Sequence, residues 1–172
     1  MTQTTKVKVV TGKVRFSYAN VFAPKASVEG GTPKYSVSII IPKSDKETVT
    51  KLQKAFEEAK AASASYFGGA VPKGLKGGLR DGDEEKDDPA YAGSYFINAN
   101  SAQKPDVVDA DLNPILDQNE FYSGCYGRAS ITFYPYNAQG SKGIACGLNN
   151  VQKLEDGEKL GGATTAAADF AV

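Results

Sequence analysis

The chain has 172 residues, 20 Lys and Arg against 20 Asp and Glu, and no histidine. That length supports one domain with a packed core, and the missing histidine excludes Ser-His and Cys-His nucleophile pairs and His-ligated metals. Two cysteines make neither a structural zinc site nor a disulfide framework, and no run approaches the ~20 apolar residues of a membrane span. Zero net charge argues against a nucleic-acid binder until it is read by segment. Residues 1–60 hold 11 Lys/Arg against 5 Asp/Glu, residues 61–120 hold 5 against 11, and residues 121–172 hold 4 of each. A basic surface can therefore coexist with zero total charge, although the same asymmetry also fits an evenly mixed surface. The N-terminus, MTQTTKVKVV, lacks an apolar signal core, so a cytoplasmic location is expected.

In chain order, residues 6–18 read as one long bent strand. Val7 and Val9 share one parity; Val10, Val14, Phe16 and Tyr18 share the other. The switch falls beside Gly12, where a bulge or sharp bend belongs. A first strand shared between two halves of a small barrel has this pattern, and so does an edge strand protected by lysines. After a loop at 19–33, residues 34–41 alternate, with Tyr35, Val37, Ile39 and Ile41 inward. Residues 44–65 predict a helix. Ser44 and Glu47 form an S-x-x-E capping box, and Val49, Leu52, Ala55, Phe56, Ala59 and Ala62 make an apolar stripe.

Residues 67–93 combine seven glycines with Lys73, Lys76 and Arg80 and then a run of acids. Such a stretch reads as a long flexible loop, or as a phosphate clamp built on those three cations. Residues 94–101 predict a strand with Tyr95, Ile97 and Ala99 on one face, and Phe96, Asn98 and Asn100 on the other. Val107-Val108 suggests a further short strand, followed by an acidic connector at 109–120.

Residues 121–151 read as a long hairpin. Cys125, Gly127, Ala129, Ile131 and Phe133 face one way; Tyr126, Arg128, Ser130, Thr132, Tyr134 and Tyr136 face the other. The turn is Asn137-Ala138-Gln139-Gly140-Ser141. Ile144, Cys146 and Leu148 share a face on the return arm, with Gly147 marking a bulge. Both cysteines lie on core-facing positions and are expected to be buried, reduced thiols. The outward row of tyrosines with an arginine suits a base-stacking platform for a single strand. It equally suits cross-strand tyrosine pairing in an ordinary β-protein. The segment after Val151 reads as a mostly disordered tail.

The run Gly143 to Gln152, GIACGLNNVQ, together with Ser123 to Tyr126, Tyr35 to Lys43 and Lys104 to Asp109, resembles a phage single-stranded DNA-binding protein family. The resemblance covers roughly residues 6–160. It implies an OB-type barrel that coats single-stranded DNA during phage DNA replication or recombination. The expected fold is mainly β: an OB-like five-stranded antiparallel barrel with one packed α-helix, a long flexible loop and a disordered C-terminal tail. The DNA-binding domain would span 1–160 and the tail 161–172. Many such proteins end in a strongly acidic tail with a terminal aromatic; here only Asp169 and Phe170 precede Ala171-Val172. The resemblance therefore does not carry tail-mediated recruitment.

The candidate stacking residues are Tyr18, Tyr126, Tyr134 and Tyr136. The candidate phosphate contacts are Lys13, Arg15, Lys34, Lys104 and Arg128. No catalytic residue, metal or cofactor is implied, so an enzyme is not expected. The expected partners are single-stranded DNA, phage replication or recombination proteins, and further copies of the chain on DNA. The competing reading is a structural or virion β-domain that uses the same tyrosine face for a protein partner. A nuclease holding Mg²⁺ on Asp81–Asp88 is disfavoured, because acids in a Gly-rich loop are poorly preorganised.

Overall fold

A computed structural model describes residues 6–26, 30–138 and 140–160. Its elements are β1 (Val7–Val10), β2 (Val14–Lys25), β3 (Lys34–Pro42), α1 (Lys46–Ala62), β4 (Arg80–Asp81), α2 (Gly82–Glu85), a 3-10 turn at Pro89–Tyr91, β5 (Ser94–Ser101), β6 (Asp106–Val108), β7 (Tyr126–Ala138) and β8 (Ser141–Glu155). β2 pairs with β3, β3 with β5, β5 with β8, and β8 with β7. β7 returns to both β1 and β2 and closes the ring. β1 and β2 together form the first barrel strand, so five strand positions make the barrel, and β4 and β6 are short additions. One seam, β5–β8, is parallel and joined at a single residue pair, Asn100 with Gly147.

The predicted long first strand is two strands, broken at Gly12. Val9 is buried on one parity, and Val14 and Phe16 on the other. The break is where the helix docks: the Gly12 N–H donates to Thr48 Oγ1 at 3.2 Å. A Cβ at Gly12 would stand 2.6 Å from that oxygen, so the close approach needs glycine. Thr11 keeps the β1 pairing going past Val10, donating its N–H to Ala129 O and accepting Ala129 N–H on its hydroxyl.

The apolar stripe of α1 lies on the barrel as expected. Leu52, Ala55 and Ala59 are buried, and Phe56 meets Phe133 edge to face with centroids 5.8 Å apart. The cap differs from the predicted box. Asp45 is the N-cap and accepts the Thr48 N–H at 3.2 Å, while Ser44 and Glu47 are exposed. The carboxylate one residue beyond Ser44 reaches the orphan donor itself. The helix ends at Ala62, three residues earlier than predicted.

The hairpin keeps its predicted alternation. Cys125, Gly127, Ala129, Ile131 and Phe133 are buried, with Phe16, Val37, Ile39, Ile41, Ile97 and Leu148 in the same core. Gly140 takes φ +88 at the turn, and its N–H donates to Asn137 Oδ1; Gln139 lies outside the described residues. A second, smaller cluster of Ile40, Tyr91 and Phe96 lies under the 3-10 turn. Segment 67–93 is anchored at several points. Leu75 and Leu79 pack on the core, Ile144 N–H donates to Lys76 O at 2.8 Å, and Lys43 holds Asp81 at 2.8 Å and Asp83 at 2.9 Å.

The tail reading fails over 152–160. β8 runs on to Glu155, Leu160 N–H donates to Ser123 O at 2.8 Å, and the Tyr122 hydroxyl meets Asp156 Oδ1 and Gly157 O at 3.0 Å. Pairing of Gln152, Lys153 and Glu155 with β7 outweighs the polar composition. The expected tail at 161–172 lies outside the described residues.

Two outcomes test this description. Asp45→Ala should cost about 1 kcal/mol of unfolding free energy in a urea titration, and Ser44→Ala should leave it unchanged. Burial raises the Cys125 thiol pKa and pushes that of Cys146 up to about 12. Both thiols therefore stay protonated at pH 8, and an aromatic disulfide reagent should react with them only as the protein unfolds. Rapid reaction in the native state would contradict the burial.

Candidate nucleic-acid interface

Because β5 and β8 meet at one residue pair, the barrel wall opens into a groove beside it. One stretch, of about 450 Å³, is lined by Ile97, Asn98 and Asn100 of β5, Ile144, Ala145 and Cys146 of β8, Tyr134 and Tyr136 of β7, Lys34, Arg80, and Gly77-Gly78. A second stretch, of about 350 Å³, shares Lys34, Asn100 and Tyr134 and extends past Lys6, Thr132, Gly147 and Asn149. Among the described residues, neither lining contains a carboxylate.

The two tyrosines lie over glycines of the neighbouring strand. Tyr136 is the cross-strand partner of Gly143, and a Cβ there would stand 2.7 Å from its ring and its hydroxyl. A Cβ on Gly147 would stand 3.2 Å from the Tyr134 ring. Gly147 thus makes room for an aromatic ring. The bulge predicted there falls two residues on: Ser130 pairs with Asn150 and Ile131 with Leu148, leaving Asn149 unpaired.

Lys34, Tyr134 and Tyr136 are the predicted site residues that line this groove. Tyr126, Lys13 and Arg15 come together elsewhere, at the opposite end of β7. The Tyr126 ring lies 5.5 Å from the Lys13 ammonium and 5.4 Å from the Arg15 guanidinium. Lys13 pairs with Glu155, and Arg15 donates to Gly124 O at 3.1 Å and Glu158 O at 2.7 Å. Lys13 and Arg15 thus flank Tyr126, but all three are tied to the 155–158 segment rather than set beside Tyr134.

Arg128 donates from Nε and Nη2 to Gln152 Oε1, at 3.0 and 2.8 Å, and Gln152 in turn donates to Asp109 O at 3.2 Å. It is held to the acidic connector. Ser130 and Thr132 do not leave a bare platform between the tyrosines. The Asn149 amide donates to both hydroxyls, at 3.3 and 2.8 Å, because the bulge brings that side chain across the strand.

Tyr18 is 60% exposed at φ +47, a strained conformation for a bulky residue, where the β2–β3 register shifts. Lys86 lies over its ring at 5.7 Å. The Lys104 ammonium sits 5.8 Å from the Phe22 ring. Both candidates lie outside the groove.

Asn98 and Asn100 of the groove were read from sequence only as outward positions on their strand. Parity placed them on a face. Their position opposite the tyrosines depends on the long-range β5–β8 pairing, which no local pattern encodes. Arg80 carried a signal as a cation in a Gly-rich stretch. Lys43 engages both Asp81 and Asp83; it lowers the carboxyl pKa of Asp81, and the Gly93 N–H together with Lys43 lowers that of Asp83. Among the described residues, no group of three or more His, Cys, Asp or Glu is arranged to hold a metal ion, and no helix is long and apolar enough to cross a membrane.

The chain is similar to a single-stranded DNA-binding protein from bacteriophage Enc34 solved in complex with ssDNA. Identity is 26%, coverage is 90% of this chain and 89% of that one, and the TM-score is 0.74. The crystal structure of gp2.5, a single-stranded DNA binding protein encoded by bacteriophage T7, shares the fold at 18% identity, with 97% and 96% coverage and a TM-score of 0.63. Protein p50 of Acyrthosiphon pisum secondary endosymbiont phage 1 is 27% identical over 170 residues, covering 95% of this chain and 91% of p50. The model of the Enterobacter phage Enc34 ssDNA-binding protein family matches residues 7–172, and the chain belongs to that family.

Proposed function

We propose that the chain is a sequence-tolerant single-stranded DNA-binding protein that coats and protects DNA during phage replication or recombination. The groove at the β5–β8 seam is its grip. The observation that carries this reading is the lining: two tyrosine rings over glycines, with Lys34 and Arg80 beside them and no carboxylate among the described residues. Bases stack on Tyr134 and Tyr136, and Lys34 meets phosphate. Tyr126, Lys13, Arg15 and Arg128 act as buttresses of the barrel's other end.

The protein binds and does not turn its ligand over; its work is done in the host cytoplasm. Its partners are single-stranded DNA, other copies along the strand, and phage replication or recombination proteins. Membership of the Enc34 family and the fold of the Enc34 complex support this reading.

Titration with oligo-dT, followed by tyrosine fluorescence at several salt concentrations, tests it. Tyr134→Ala and Tyr136→Ala should each cost ~1–3 kcal/mol of binding at unchanged melting temperature. Tyr126→Ala should lower the melting temperature and leave affinity unchanged. Binding with little salt dependence would overturn the phosphate role and favour protein docking on this face.

A further inference from the structure

Arg80 lines the same groove as Lys34, Tyr134 and Tyr136, yet its guanidinium already has an anionic partner. Its Nε and Nη2 both donate to one oxygen of Glu85, Oε1, at 2.9 and 2.7 Å. The guanidinium also rests on the Phe96 ring, 5.0 Å from its centroid. Neither side chain is buried: 52% of Arg80 and 37% of Glu85 is accessible.

The segment carrying both residues is fastened down. Arg80 pairs with Phe96 in the β4–β5 ladder, and Glu85 ends α2, the next element. Between them, Lys43 bridges Asp81 and Asp83. The Asp83 carboxylate also accepts the Gly93 N–H at 2.9 Å. The Arg80 backbone is thereby held at the groove, and what can change is the anion its side chain holds.

A carboxylate and a phosphodiester offer a guanidinium the same thing, anionic oxygens that accept two N–H groups. An exposed ion pair in water is weak and salt-screened, so exchanging one such acceptor for another disturbs the fold little.

We infer that Arg80 is a DNA-phosphate contact of the groove and that Glu85 is its internal stand-in, holding the guanidinium in place until a phosphate displaces the carboxylate. This rests on the groove being the DNA site. Two consequences follow from the charges. Arg80 is oriented before DNA arrives, because the ring beneath it and the carboxylate beside it restrict its rotamers. Glu85 also competes with the strand, because the guanidinium must release the carboxylate before it takes the phosphate. The pair tempers the grip of the groove without lowering its selectivity for an anionic backbone. Arg80 holds the Glu85 carboxyl below its ordinary range, so Glu85 stays charged at neutral pH.

The test uses the full chain with oligo-dT at several salt concentrations, comparing Arg80→Gln, Glu85→Gln, the double variant and Tyr134→Ala. Glu85→Gln should tighten binding severalfold at low salt and steepen the log-log salt dependence by up to ~0.7, the value for one further single-strand phosphate contact. Arg80→Gln should weaken binding severalfold. In the Arg80→Gln background, Glu85→Gln should change affinity less than twofold.

Equal tightening in both backgrounds would mean that Glu85 acts only by general repulsion, and would overturn the inference. So would unchanged affinity in both single variants while Tyr134→Ala still weakens binding; the groove reading would then stand without Arg80. If Tyr134→Ala also binds normally, the groove reading itself has failed. Melting curves of all variants check the fold, which the exposed pair should leave within a degree or two.

Discussion

Everything in this barrel depends on the hairpin β7–β8 keeping its alternation along the whole length of β7. The hairpin has two register shifts, and in both the unpaired residue lies on β8: Leu154 between Lys153 and Glu155, and Asn149 between Leu148 and Asn150. β7 itself therefore never slips. Ala129, Ile131 and Phe133 stay in the core, and Tyr134 and Tyr136 stay outside it. A bulge on β7 anywhere before Tyr134 would have sent the tyrosines inward. On β8 the same device is useful: it turns Val151 into the core after Leu148 and lays the Asn149 amide over Ser130 and Thr132.

Net charge says little about such a surface; the sorting of charge says more. Several acids are matched in place: Glu155 with Lys13, Asp81 and Asp83 with Lys43, Glu85 with Arg80, and Asp156 with Lys153. Lys34 of the groove lining stands in both stretches beside Tyr134 and Asn100. A cleft lined by one sign of charge focuses the field whatever the total. Zero net charge is therefore compatible with a groove lined by cations, and the cations of this one come from both the basic first 60 residues and the acidic next 60.

Local features of the fold were legible in the sequence, and features made by distant pairing were not. The parity switch at Gly12, the stripe of α1 and the two faces of β7 follow from periodicity within one segment. The cap was misread by one residue because Ser44 and Asp45 are both good caps, and only the docking of Thr48 on Gly12 shows which one serves. Composition suggested a tail after Val151, yet Tyr122, Ser123 and Arg15 from earlier in the chain hold 156–160 in place. The site divides in the same way. Parity placed Tyr134 and Tyr136 on the face that lines the groove. It placed Tyr126 and Arg128 on the same side but could not show that Glu155, Glu158 and Gln152 surround that end. It was also silent on Asn98 and Asn100, whose place opposite the tyrosines needs the β5–β8 seam.

That seam also gives the proposed DNA groove two unlike walls. One wall presents tyrosine faces, and stacking on a π-face does not depend on which base is stacked. The other wall presents Asn98 and Asn100, both exposed on β5. A side-chain amide carries a donor and an acceptor and can turn either toward a ligand. Such a wall can answer the hydrogen-bonding edge of any base without being built for one. Specificity for a particular base would require those amides to be locked by neighbours, as Asn149 is locked by Ser130 and Thr132. Asn149 is fixed by its hydroxyl partners, whereas Asn98 and Asn100 stand exposed at the groove, the arrangement that the proposed tolerance of sequence requires.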